Sequence, residues 1–130
     1  MGAPPIQLTV AIPTMRRWKG FLEKSLPTFL NNEYITYVVV CDETGEDVEA
    51  IQASRWGTNP KLRLYTNECR LGMYANKRRC VELSPTDWVA VLDSDNIFPD
   101  IFLKLFLNSG KMKVQVQRQS MQPPKLFVCF

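Results

Sequence analysis

Trp88-Val89-Ala90-Val91-Leu92 runs directly into Asp93-Ser94-Asp95-Asn96, so a wholly apolar segment ends in two carboxylates one residue apart. An apolar run of this length, bounded by Ser84-Pro85-Thr86-Asp87 on one side and by acids on the other, reads as a strand buried on both faces. Such strands belong to parallel sheets. Ligands of open α/β sheets bind just outside the carboxyl ends of the strands, where Asp93 and Asp95 fall. Two like charges there call for a neutralising partner, and a divalent cation that also takes phosphate oxygens supplies one. In isolation an Asp-x-Asp is more often an acidic turn that caps the following helix, so the tripeptide needs support from the rest of the chain.

Working outward, the strand is the fourth of a series. Residues 6–12 are β-rich and stop at Pro13, which cannot donate to a ladder, so the first strand is expected to end in a Pro13-Thr14 turn. Trp18, Phe21, Leu22, Leu26, Phe29 and Leu30 recur at helical spacing, with Pro27 expected to bend or restart the helix. Residues 35–41 make a second apolar strand, and residues 47–56 a short helix that Gly57 stops. A third strand covers 62–65, a loop 67–72, and a helical face runs from Met73 through Cys80, Val81 and Ser84. After the acids, Pro99 suits a first helical turn, with Ile101, Phe102, Leu105 and Phe106 on its buried side. Four strand-helix repeats predict a single α/β domain: a mainly parallel sheet with right-handed crossovers and helices on both faces. Residues 113–118 alternate as an edge strand would, and the apolar run 126–130 reads as cut short or completed by a partner.

At 130 residues, 45% hydrophobic and 22% charged, the chain is long enough for one packed domain. Its net charge of +3 is concentrated in Arg16-Arg17-Trp18-Lys19 and in Lys77-Arg78-Arg79. Short basic clusters suit a compact anion, not a nucleic-acid duplex, which needs a continuous basic face. The absence of histidine excludes Ser-His catalysis and histidine-containing zinc sites. Cys41, Cys69, Cys80 and Cys129 form no Cys-x-x-Cys pair, and Cys41 and Cys80 are expected to be buried, reduced thiols, which fits a reducing compartment. The first residues lack the apolar core of a signal peptide and no run is long enough to cross a membrane, so the expected location is cytoplasmic.

In a parallel sheet, Pro13-Thr14, Asp42-Glu43, the 67–72 loop and Asp93-Ser94-Asp95 gather at one edge as a single candidate pocket. Arg16, Arg17, Asn76, Lys77 and Arg79 follow these loops near helix starts, which themselves favour anions. Each has a plainer reading when taken alone. Arg16 and Arg17 are ordinary surface charges, Asp42-Glu43 a helix cap or Asx-turn, 77–79 an exposed helix face, and Gly72 a turn glycine.

Together, Val10-Ala11-Ile12-Pro13-Thr14, the acidic stretch from Val40 to Asp47, Asn67 with Gly72 and Asn76, and Asp93-Ser94-Asp95 resemble the family 2-like nucleotide-sugar glycosyltransferases of the glycosyltransferase A fold. The resemblance spans about residues 8–106. It implies a Rossmann-like donor-binding domain over 1–110, with 111–130 as an edge-strand tail. It also implies that Pro13, Thr14, Asp42 and Glu43 hold the base and ribose of the donor, a UDP-sugar by preference, with Glu43 standing where an aspartate is usual. Arg17, Gly72, Asn76, Lys77 and Ser94 complete the donor site, while Asp95 binds Mn²⁺ or Mg²⁺ and Asp93 approaches the metal or the ribose. A cation bridging the two phosphates stabilises the charge that develops as the glycosidic bond breaks, and Arg17 or Lys77 adds to it. Inverting members take a carboxylate base from an acceptor half, yet no acid follows Asp100. The resemblance therefore implies a donor half truncated before its acceptor half, with the catalytic base unassigned and the glycan or protein acceptor unspecified.

Three competitors use parts of the same pattern. A nucleotidyltransferase shares the sheet edge and metal but wants a glycine-rich loop after the first strand, which 13–17 lacks. A phosphatase of the haloacid dehalogenase type places its Asp-x-Asp after the first strand, not the fourth. A non-catalytic nucleotide-sugar module, or a homodimer paired through the last strand, needs no base at all. On the transferase reading, Asp95→Ala is expected to abolish metal-dependent donor binding; unchanged calorimetric affinity for a UDP-sugar with Mn²⁺ would contradict it.

Overall fold

The computed structural model describes residues 7–92, together with the backbone of 116–119 and 125–129. Asp93, Ser94, Asp95 and the helix expected after Pro99 lie outside the described residues. The chain runs β1 (Leu8–Thr14), a turn over Trp18–Leu22, α1 (Glu23–Leu30), β2 (Tyr37–Asp42), α2 (Glu46–Ala53), β3 (Leu62–Thr66), α3 (Met73–Glu82), β4 (Trp88–Val91), β5 (Val116–Gln119) and β6 (Lys125–Cys129). These strands form one sheet in the order β3-β2-β1-β4-β6-β5. β1 pairs parallel with both β2 and β4, so the strand order reverses there, at the switch point where such sheets open a crevice. β6 pairs parallel with β4, and β5 closes the edge antiparallel to β6. The last strand is thus paired on both sides within its own sheet, and the edge strand foreseen over 113–118 is described over Val116–Gln119.

Alternation along the central strands divides the core into two layers. Val10, Ile12, Val38, Val40, Ala90 and Leu92 face one side and pack with Leu22, Leu26, Phe29 and Leu30 of the α1 region and Ile51 of α2. Ala11, Val39, Cys41, Val89 and Val91 face the other side, against Cys80 and Val81 of α3. Strands apolar on both faces are stable only when helices cover both, which is why these runs lack the polar alternation of a half-wet sheet. Cys41 and Cys80 are buried and unbridged, and Cys69 is exposed. Burial pushes the Cys80 thiol up, and Cys41 beside it adds to the rise. No helix among the described residues is long and apolar enough to cross a membrane.

Two local expectations are corrected. β1 does not stop at Pro13: Pro13 and Thr14 stay in register with Cys41 and Asp42 of β2. Successive residues of a parallel strand bond to opposite neighbours, and Ala11 O accepts from Leu92 N while Thr14 O accepts from Glu43 N. Pro13 therefore turns its missing donor toward β4, just past the last β1–β4 pair, Ala11 and Val91, and leaves the β1–β2 ladder intact. The helix expected from Trp18 onward is also split. Lys19 (ψ 124°) and Gly20 (φ 81°) leave helical geometry, and α1 starts only at Glu23, whose side chain accepts the Gly20 N–H at 2.7 Å. Pro27 lies inside α1 without ending it; its carbonyl still accepts the Asn31 N–H at 3.0 Å.

Candidate functional site

The carboxyl end of β2 carries the polar residues that shape its surroundings. Asp42 is fully buried, and its Oδ2 accepts the amides of Asp47 (2.8 Å) and Val48 (3.0 Å) while Oδ1 accepts that of Thr44 (3.0 Å). Gly45, at φ 89°, precedes α2 without a side chain to cap it, so Asp42 serves as the cap from three residues upstream. A Cβ on Gly45 would also stand 3.1 Å from Thr66 Cγ2, which together with the positive φ disfavours a larger capping residue at that point.

Glu43 and Asp47 do similar work for two loops. Glu43 Oε1 accepts from Asn67 Nδ2 (3.2 Å) and Leu71 N (2.9 Å), and Oε2 from Gly72 N (3.2 Å). Asn67 in turn donates to Asn76 Oδ1 at 2.9 Å, and Asn76 donates to the Cys41 carbonyl at 3.0 Å, tying the 67–72 loop and α3 to β2. Asp47 accepts the Thr14 hydroxyl at 2.6 Å and the amides of Arg17 and Trp18 at 2.9 Å. These donors hold the turn after β1, where Arg16 is the one described non-glycine residue at positive φ (55°).

Between the two loops lies a cleft of about 490 Å³ at the carboxyl edge of the sheet. Pro13, Thr14, Met15 and Arg17 line it from the end of β1, Glu43 from β2, Arg70 and Gly72 from the loop after β3, and Met73, Asn76 and Lys77 from the start of α3. The structure thus brings Pro13, Thr14, Arg17, Glu43, Gly72, Asn76 and Lys77 together, while Asp42 lies outside the lining, occupied as a helix cap. Asp93, Ser94 and Asp95 fall outside the described residues. Arg70, Met15 and Met73 were not singled out from sequence, and neither was Asp47 as a residue with a role of its own. Arg70 did lie in the loop placed at this edge, but an arginine among Glu68, Cys69 and Leu71 carries no local signal.

Among the described residues, no ion pair engages Arg17 or Arg70, whereas Arg16 pairs with Glu46 and Arg78 with Glu82 on the exposed surface. Among the described lining residues, three cations face one carboxylate, which itself holds three N–H donors, so this part of the lining carries net positive charge. No group of three or more metal-ligating side chains occurs among the described residues. Among the described acids near the cleft, Asp42 and Asp47 spend both oxygens on N–H and O–H donors and Glu43 stands alone in the lining, so they do not make a cation site.

The model of the Glycosyl transferase family 2 matches residues 9–110. The chain belongs to this family. Among solved structures, S. aureus TarS 1-349 shares the fold at a TM-score of 0.63 and 18% identity, over 76% of this chain and 30% of that one. The same TarS fragment in complex with UDP-GlcNAc gives a TM-score of 0.62 and 17% identity, over 76% of this chain and 29% of that one. This family 2 chain therefore spans about 30% of the TarS chain it matches. No curated protein matches it significantly.

Removing the Asp42 carboxylate orphans three amides at the start of α2. Asp42→Ala is expected to cost about 2 kcal/mol in urea unfolding, since a lost cap and buried unpaired donors each cost on the order of 1 kcal/mol or more.

Proposed function

We propose that this family 2 chain is the donor-binding part of a glycosyltransferase and that the cleft holds a nucleotide-sugar, a UDP-sugar by preference. The observation that carries this reading is the convergence of Arg17, Arg70 and Lys77 on one cleft where, among the described residues, the lining acid is Glu43, held by N–H donors. A diphosphate is the compact anion such a lining suits, and the start of α3 at the same wall adds the positive end of its dipole. Charge that builds on the leaving nucleoside diphosphate is stabilised by guanidinium and ammonium groups already in place, the effect that contributes most in reactions of this kind.

The polar floor suits the other end of the donor. Thr14 spends its hydroxyl proton on Asp47, so toward a ligand its oxygen only accepts. Glu43 Oε2 takes a single amide and keeps acceptor capacity. Ribose hydroxyls and a base N–H are donors of the matching kind. TarS, whose fold the chain shares, was crystallised with UDP-GlcNAc, which supports a UDP-sugar as donor. Asp93 and Asp95 are the residues that would hold Mn²⁺ or Mg²⁺, and such an ion, when bound, supplies Lewis-acid stabilisation of the leaving diphosphate. The described part of the cleft provides binding and leaving-group stabilisation; Glu43, held by three N–H donors, is not placed as the base that activates an acceptor.

Calorimetric titration with UDP tests the reading. Arg70→Ala is expected to weaken UDP binding about tenfold, the scale of one lost charge-assisted hydrogen bond. Equal affinity in the variant and the unsubstituted chain would remove Arg70, and with it the electropositive cleft, from the site.

A further inference from the structure

We infer that Asp47 is a positioning residue for the cleft: its buried carboxylate fixes the turn after β1 and so aims the Arg17 guanidinium at the bound diphosphate without lining the cleft itself. The inference rests on the donor-cleft reading above and extends it to a residue behind the wall. Asp47 is 1% exposed and reaches across from α2 to residues 29 to 33 positions away in sequence. Oδ1 accepts the Trp18 amide at 2.9 Å, Oδ2 accepts the Thr14 hydroxyl at 2.6 Å, and the Arg17 amide lies 2.9 and 3.0 Å from the two oxygens.

These donors bracket Arg16, whose φ of 55° is a conformation that a residue with a side chain seldom adopts. Local propensity does not favour that turn. Charge-assisted bonds from both of its sides to one carboxylate impose it. Asp47 makes these bonds to the backbone of Arg17 and not to its guanidinium, so the positive charge stays available to the cleft. The guanidinium instead lies 5.3 Å from the centre of the Phe21 ring, a cation–π contact that leaves its charge unpaired by any described acid. Asp47 is itself anchored, because its amide donates to Asp42 Oδ2 at 2.8 Å. The path from sheet to site therefore runs from the end of β2 through Asp42 and Asp47 to the turn that carries Arg17.

A residue that merely stabilises the fold and one that acts through Arg17 separate in a double-mutant cycle on UDP affinity, read alongside amide exchange. Asp47→Asn keeps the shape but removes the charge and one acceptor oxygen. The expected results are about tenfold weaker UDP binding in the single variant and less than about twofold further loss on an Arg17→Ala background. The Arg17 and Trp18 amides should exchange at least about tenfold faster in Asp47→Asn, with the Val38 and Val40 amides unchanged. If the variant does not fold, Asp47→Glu, which keeps the charge but shifts it by one methylene, enters the same cycle with the same non-additivity expected. Fully additive losses, or unchanged UDP affinity despite faster exchange, would reduce Asp47 to a structural residue and overturn the inference. Unchanged exchange at Arg17 and Trp18 would overturn the clamp whatever the ligand does. Failure of the unsubstituted chain to bind UDP would overturn the donor reading and this role with it, even if the exchange result stood.

Discussion

Three buried carboxylates, at the end of β2 and the start of α2, hold the cleft edge of this molecule together. Asp42, Glu43 and Asp47 lie within six residues of one another, are each less than a tenth exposed, and spend their oxygens mainly on backbone amides. Burying a charge is costly unless donors replace the lost water, and here the donors are the amides of three separate segments. Asp42 secures the start of α2, Asp47 the turn after β1, and Glu43 the loop after β3. Loss of Glu43 or Asp47 would free a wall of the cleft directly, whereas loss of Asp42 would act through α2 and the Asp47 that it anchors.

That arrangement lets an electropositive cleft exist beside acids. The carboxylates are turned inward to amides, while Arg17, Arg70 and Lys77 line the open side. Each acid is turned to amides, and among the described residues none of the three forms an ion pair with Arg17 or Arg70. A parallel sheet makes this geometry accessible, since all of its strand ends and the helix starts that follow lie at one edge. The switch between β2-β1 and β1-β4 opens the crevice.

The fold was largely legible in the sequence because its central strands are apolar on both faces. Val38-Val39-Val40 and Val89-Ala90-Val91 leave no reading but a strand covered by helices on two sides, and both layers are present. Local errors arose where tertiary context overrode local chemistry. Pro13 looked like a strand terminator, but its donor position faces β4 beyond their last pair and leaves the pairing with β2 intact. The spacing from Trp18 to Leu30 looked like one helix, but Gly20 and the Asp47 bonds at Arg17 and Trp18 hold the first part as a turn. Site membership was legible as a set of loops and less so as roles. Asp42 and Glu43 share a dipeptide, yet one caps α2 and the other lines the cleft, a difference set by side-chain direction at adjacent positions. The bonds from Asp47 to Thr14 and Trp18 span about thirty residues and have no signature in local sequence.

On the donor-cleft reading, the nucleotide diphosphate sits between the turn after β1 and the start of α3. Mapping amide chemical-shift changes on the isotope-labelled chain as UDP is added tests this directly. The account predicts changes concentrated at Thr14 to Arg17 and at Arg70 to Lys77, with little at α1 or at the β3 edge. Changes confined to those distant elements, or none at saturating UDP, would contradict it.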